Sequence, residues 1–185
     1  MNATDYFAKL NRTIAALDLR TVDEAVALVA KAHKKGRQII TLGNGGSSLT
    51  ALHFITDWNK MVYLATGKPF RGRSLVDNIG LTFAYSNDIA FEDVFVEQLK
   101  NILEKDDLVI ALSGSGNSPN VIKAVEYANS HDAITLGLCG YDGGKLAQVS
   151  QYTVWVDIKD MQISEDIHSM FGHIVVQKLC KIGAP

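Results

Sequence analysis

Twice in this chain a short apolar run ends in a loop of glycine, serine and asparagine and continues as a helix-like segment. The clearer instance is Leu108-Val109-Ile110-Ala111-Leu112, then Ser113-Gly114-Ser115-Gly116-Asn117-Ser118, then Pro119 and helical spacing over residues 120–129. An unbroken apolar run without alternation suits a strand covered on both faces, the mark of a parallel sheet. Proline at a helix start costs no hydrogen bond, because the N–H it lacks has no intrahelical partner there. The free N–H groups of a helix start point into such a loop, and the helix dipole favours negative charge. Serine hydroxyls add donors and glycines let a ligand approach the backbone. A phosphate group fits this setting, although a plain surface loop uses the same residue types.

Neither nucleotide fingerprint is present. There is no G-x-x-x-x-G-K-[ST], and Gly114-Ser115-Gly116 is not continued to a third glycine because position 119 is proline. A phosphorylated small molecule is expected, with no nucleotide cofactor.

The second instance is Gln38-Ile39-Ile40-Thr41-Leu42, then Gly43-Asn44-Gly45-Gly46-Ser47-Ser48, then a helical pattern over about 49–62. Further strands are predicted at 73–76, 133–138 and, nearer an edge, 152–156. Helical spacing runs through Phe7, Leu10, Ile14 and Leu17, and Thr21-Val22-Asp23-Glu24 has capping-box form for a second helix ended by Gly36. Helices are also predicted at 78–85, 91–103 and 164–181, with a turn at Ser86-Asn87-Asp88. Strands alternating with helices imply an α/β fold, a doubly wound parallel sheet with ligands at the carboxyl ends of its strands.

At 185 residues the chain suits one domain. Its net charge of −2 offers no basic face for nucleic acid and no polybasic membrane patch. No apolar run approaches the roughly 20 residues that span a bilayer, and residues 1–5 do not open a secretion signal. A cytoplasmic location is expected. Two cysteines without a C-x-x-C do not suggest a disulfide framework or a zinc finger.

His53 and Asp57 stand four apart, on one helical face after the first loop, and Glu165, His168 and His173 share the last helix. Single helical histidines are mostly packing or surface residues, and that is the reading kept for His168. An acid and a base beside a sugar phosphate suit an aldose–ketose isomerase, in which one group takes a proton from carbon and another moves protons at the oxygens. The same His, Asp, Glu, His set is a credible zinc site. Glu165 and His173 are eight apart, about 12 Å along a continuous helix. Both can meet one ion only if Glu165 precedes the regular helix or if one ligand comes from another subunit.

Residues 42–48, residues 113–124 and Gly140-Tyr141-Asp142-Gly143-Gly144-Lys145 together resemble the sugar isomerase (SIS) domain family, within it most of all the phosphoheptose isomerases. The resemblance implies a five-stranded parallel sheet between helices, a single SIS domain over 1–185, and a homotetramer with interfacial sites in which an N-terminal helix at about 2–18 packs. It implies a ketose 7-phosphate substrate in cell-surface polysaccharide synthesis. By position, Ser113, Ser115 and Ser118 match phosphate-holding residues, Asn44, Ser47 and Asp88 match residues lining the sugar site, and Glu165 is counted with these substrate-binding residues. His173 matches the catalytic histidine, and Asp57 stands where the catalytic glutamate is usual. Zinc-binding members use positions that here are His53, Asp57, Glu165 and His173. Three departures stand out: Asp57 is a methylene short, Glu165 replaces a glutamine, and Met61 stands in place of a basic residue. The other implied role is a non-catalytic member that binds a sugar phosphate or a protein such as a replication initiator; an intact His173 favours chemistry.

Overall fold

The computed structural model describes residues 2–181. Five strands form one all-parallel sheet: β1 (Ile39–Gly43), β2 (Gly72–Ser74), β3 (Leu108–Ser113), β4 (Ile134–Cys139) and β5 (Tyr152–Trp155), in the order β2-β1-β3-β4-β5. The helices are α1 (Ala3–Ala16), α2 (Leu19–Lys35), α3 (Gly45–Asp57), α4 (Tyr63–Thr66), α5 (Ile79–Asp88), α6 (Val94–Ile102), α7 (Pro119–Ser130), α8 (Gly144–Val149) and α9 (Met161–Cys180).

The unbroken apolar runs are explained by helices on both faces of the sheet. Leu108, Ile110 and Leu112 pack with Val29, Phe54, Trp58 and Phe171 beneath α2, α3 and α9. Val109 and Ala111, pointing the other way, pack with Val94, Phe95, Leu99 and Val121 beneath α6 and α7. Every residue of β3 is buried, so no polar alternation could appear in its sequence.

Several boundaries differ from the sequence reading. α2 starts at Leu19, capped by the Asp18 carboxylate, which accepts from the Arg20 N–H. Thr21-Val22-Asp23-Glu24 therefore lies inside the helix, and the Thr21 hydroxyl donates to the Asp18 carbonyl instead. Ser86-Asn87-Asp88 is the last turn of α5, not a connecting turn. α9 begins at Met161, where the Asp160 carboxylate caps it, three residues earlier than expected. The first Gly/Ser loop contributes its own residues to α3, which starts at Gly45, and α3 runs into a π-helical turn, Trp58–Val62.

α1 lies on its own chain's α9. Leu10 is buried with Val156, Ile163 and Ile167, the Tyr6 hydroxyl donates to Asp166 at 2.6 Å, and Lys9 pairs with Asp160. The Asp166 carboxylate pushes the Tyr6 hydroxyl up to about 12. Phe7, by contrast, stays exposed.

Candidate active site

The order β2-β1-β3-β4-β5 has its switch point between β1 and β3, and the crevice at the carboxyl ends of these strands is where such sheets bind ligands. Both Gly/Ser loops leave the sheet there. They wall a cleft of about 280 Å³, lined by Asn44, Gly45, Gly46 and Ser47 on one side and Ser113, Gly114, Ser115 and Ser118 on the other, with Met161 and Glu165 of α9 across the mouth.

Two helix N-termini open on this cleft, and neither is capped by a side chain. Asn44 stands at the cap position of α3, yet its amide is paired both ways with Asn120, at 2.8 and 2.9 Å. Asn120 also accepts from the Val121 N–H. The first N–H groups of α3 are therefore left to a ligand, and a helix of 13 residues supplies a dipole behind them. Ser113 and Ser118 hydroxyls lie 3.2 Å apart, and Ser115 accepts from the Asn117 N–H. Gly116 must be glycine: its φ is +68°, and a Cβ there would lie 2.1 Å from the Gly143 carbonyl oxygen. The third motif holds this loop in place, through Gly140 N–H to the Gly114 carbonyl and Leu146 N–H to the Gly116 carbonyl, both 2.8 Å. Neutral donors make the cleft; among the described residues the one ionisable group lining it is Glu165, which is acidic.

A second cluster lies farther down α3. His53 Nε2 is 3.2 Å from Asp57 Oδ2, and the His53 and His173 rings meet edge to face with centroids 5.2 Å apart. One ligand atom from each of His53, Asp57 and His173 lies within 4.8 Å of the other two. Imidazole nitrogen and carboxylate oxygen are donor types that a zinc ion takes, so the set is compatible with zinc. The cluster is set by packing behind it. Phe54 stacks on Trp58 at 4.9 Å and meets Phe171 at 5.9 Å, and the buried Trp58 indole donates to the Gly172 carbonyl at 3.0 Å.

The structure does not bring Glu165 to this cluster within one chain. It lies inside regular helix, so the condition that it precede the helix fails. Its carboxylate sits against α3's first turn, where a Cβ on Gly46 would be 2.8 Å away. Asp88 is not at the cleft either. It is the exposed last residue of α5, about 13 Å along that helix from Ile79, the end that approaches Asn44 and Gly45. His168, read as a packing residue, is buried with no hydrogen-bond partner for its ring nitrogens, and burial pushes it down to about 4. Cys139, at the end of β4, is pushed by burial up to about 12 and is no nucleophile. Sequence reasoning missed Met161, Asn120 and Trp58. Only the folded contacts single them out.

The family profile of the SIS domain matches residues 4–140. The chain belongs to the SIS domain family. It is 34% identical over 185 residues to the phosphoheptose isomerase of Fusobacterium nucleatum, covering 97% of this chain and 92% of that one. It is also 34% identical over 155 residues to the phosphoheptose isomerase of Helicobacter hepaticus, covering 83% and 78%. Among solved structures, phosphoheptose isomerase GmhA from Neisseria gonorrhoeae superposes with a TM-score of 0.88 at 25% identity, over 97% of both chains.

Proposed function

We propose that this protein is a phosphosugar isomerase that interconverts a ketose 7-phosphate, of the sedoheptulose type, and its aldose. One observation carries the reading: a cleft of uncapped helix starts and serine hydroxyls shares a helix, α3, with a His53–Asp57–His173 cluster. Anion anchorage and proton-transfer groups are the two things the reaction needs. The similarity to relatives named phosphoheptose isomerase, over nearly the whole chain, supports the same reaction.

In this reading Ser113, Ser115 and Ser118 hold the phosphate, with the N–H groups of α3 and α7 behind them, while Asn44 and Ser47 face the sugar. Asp57 and His173 are the acid–base pair: one removes the proton from the carbon beside the carbonyl, and the other shuttles protons between the two oxygens of the enediol. His53 holds Asp57 in place. Zinc is the ion this nitrogen-and-carboxylate set favours, and an ion held there would polarise the sugar oxygens.

Ser47 and Asp57 are ten residues apart, about 15 Å along α3. A cleft and a cluster so far apart are better joined across subunits. We therefore propose an oligomer, of tetrameric type, in which one chain's cleft meets another chain's cluster, with Asp88 and Glu165 completed in the same way. The exposed apolar residues Leu49, Ile79, Phe83 and Phe91, the last three lining a neighbouring hollow with Asn44 and Gly45, and α5 with no buried residue support such an interface.

Incubation with ketose 7-, 6- and 5-phosphates, followed by NMR, tests the reading. Conversion of a 7-phosphate is expected. No conversion of any of them, with or without zinc, would leave the protein as a sugar-phosphate binder.

A further inference from the structure

The cluster residues are each neighbours in sequence of a residue in one packed joint: His53 beside Phe54, Asp57 beside Trp58, His173 beside Gly172. At that joint α3 and α9 approach so closely that a Cβ on Gly172 would lie 2.3 Å from the Phe54 ring. Among the described residues the one hydrogen bond across it is the Trp58 indole N–H to the Gly172 carbonyl, with Trp58 wholly buried. Trp58 also opens the π-helical turn, a local departure from α geometry that is often found at functional sites. The next residue, Asn59, fastens that turn on its other side, accepting from the Gly72 N–H at 3.0 Å and donating to the Gly72 carbonyl at 3.1 Å. The turn is thus tied to α9 by one residue and to the edge strand β2 by the next.

We propose that Trp58 is a positioning residue for the His53–Asp57–His173 cluster, its indole N–H setting the register of α9 against α3 through the Gly172 carbonyl. The role rests on the reading of that cluster as the reacting centre. An α-helical continuation would have turned the side chains after Asp57 differently. The π turn is what lets consecutive residues reach α9 and β2, and Asp57 is held at its start. Trp58 touches no substrate; it acts through the placement of His173.

Because the hydrogen bond and the packing come from one side chain, the test separates them. Incorporation of 3-benzothienylalanine at position 58 keeps the bicyclic ring and removes the N–H; Trp58→Phe is the second variant. The first readout is the cross-relaxation between the His53 and His173 ring protons, whose rings are in edge contact in the wild type. The second is the affinity for Co2+ alone, by absorption titration of the full-length protein. Val109→Ala, which loosens the core on the opposite face of the sheet, is the control for general destabilisation.

The isostere is expected to lose the ring–ring signal and to weaken Co2+ binding about three- to tenfold, as the loss of one buried hydrogen bond implies. Val109→Ala is expected to keep both. An undiminished ring–ring signal in the isostere, or an equal loss in Val109→Ala, overturns the positioning role. Wild-type protein that takes up no Co2+ but keeps the ring–ring signal would sink the metal reading only, and the signal would still decide on Trp58.

Discussion

Gly172→Ala places a methyl group in the joint that sets the candidate active site. The new Cβ would lie 2.3 Å from the Phe54 ring, against about 3.5 Å for carbon atoms in contact, so α9 and the ring must part by about 1.2 Å. Phe54 cannot swing aside, because it is buried and stacked on Trp58. Overpacking of this kind costs about 1–3 kcal/mol, and alanine in a helix returns about 1 kcal/mol relative to glycine. The net loss of stability is about 0–2 kcal/mol, a fall in Tm of no more than about 8 °C. The displacement matters more than the energy. His173 is the next residue, and a shift of about 1 Å at a reacting group costs on the order of a hundredfold in rate. The expected result is a folded protein with kcat down about a hundredfold and KM for the sugar phosphate unchanged, because the cleft lies elsewhere. Steady-state kinetics with circular dichroism melting reads both. A folded Gly172→Ala protein with wild-type kcat would refute the reasoning.

Four further outcomes follow from the same geometry. Ser115→Ala removes a hydroxyl lining the cleft and, if Ser115 holds the phosphate as proposed, should raise KM about ten- to hundredfold with little change in kcat, since hydrogen bonds to charged groups contribute about 1.5–3 kcal/mol. Glu165→Gln removes the one negative charge lining the cleft, a repulsion of roughly 1 kcal/mol at the dielectric of water, and should lower KM about fivefold in kinetic assays. Mixing Ser115→Ala with His173→Ala subunits should raise the rate at low substrate above that of either variant alone, because some sites then take an intact cleft and an intact cluster from different chains; no gain after subunit exchange would place each site within one chain. His168 is held neutral in the fold by burial, with a pKa near 4 against 6.5 when unfolded, so its contribution is fully present above pH 6.5 and lost as pH falls towards 4. That loss amounts to roughly 3 kcal/mol. His168→Leu should therefore flatten the acid limb of stability measured by urea titration between pH 4 and 6.5.

The architecture was legible in the sequence because its causes are local. Apolar runs without alternation declare buried parallel strands, and loops of small residues mark the strand ends. The order of the motifs points to the family. Positions that depend on the meeting of distant segments were not legible. Thr21-Val22-Asp23-Glu24 has the right residues for a cap, yet Asp18 takes the role because the Leu17 carbonyl has already turned away from α1. The pairing of the Asn44 amide with Asn120, 76 positions away, could not be read from either loop. The grouping of His53, Asp57 and His173 is expected from residue types and the family resemblance, and the Phe54–Gly172 contact that brings it about is what spacing along the chain does not encode. Glu165 shows the same limit from the other side. By position it reads both as a substrate-binding residue and as a metal ligand, and within one chain the helix places it beside the cleft.

The central claim is proton transfer at a phosphosugar by His173 and Asp57. Its most direct measurement is NMR of sedoheptulose 7-phosphate with the protein in D2O. Wild-type protein should wash deuterium into the carbon beside the carbonyl, and His173→Ala should bind the sugar phosphate without exchange. Full exchange by His173→Ala, or none by the wild type, would contradict the account.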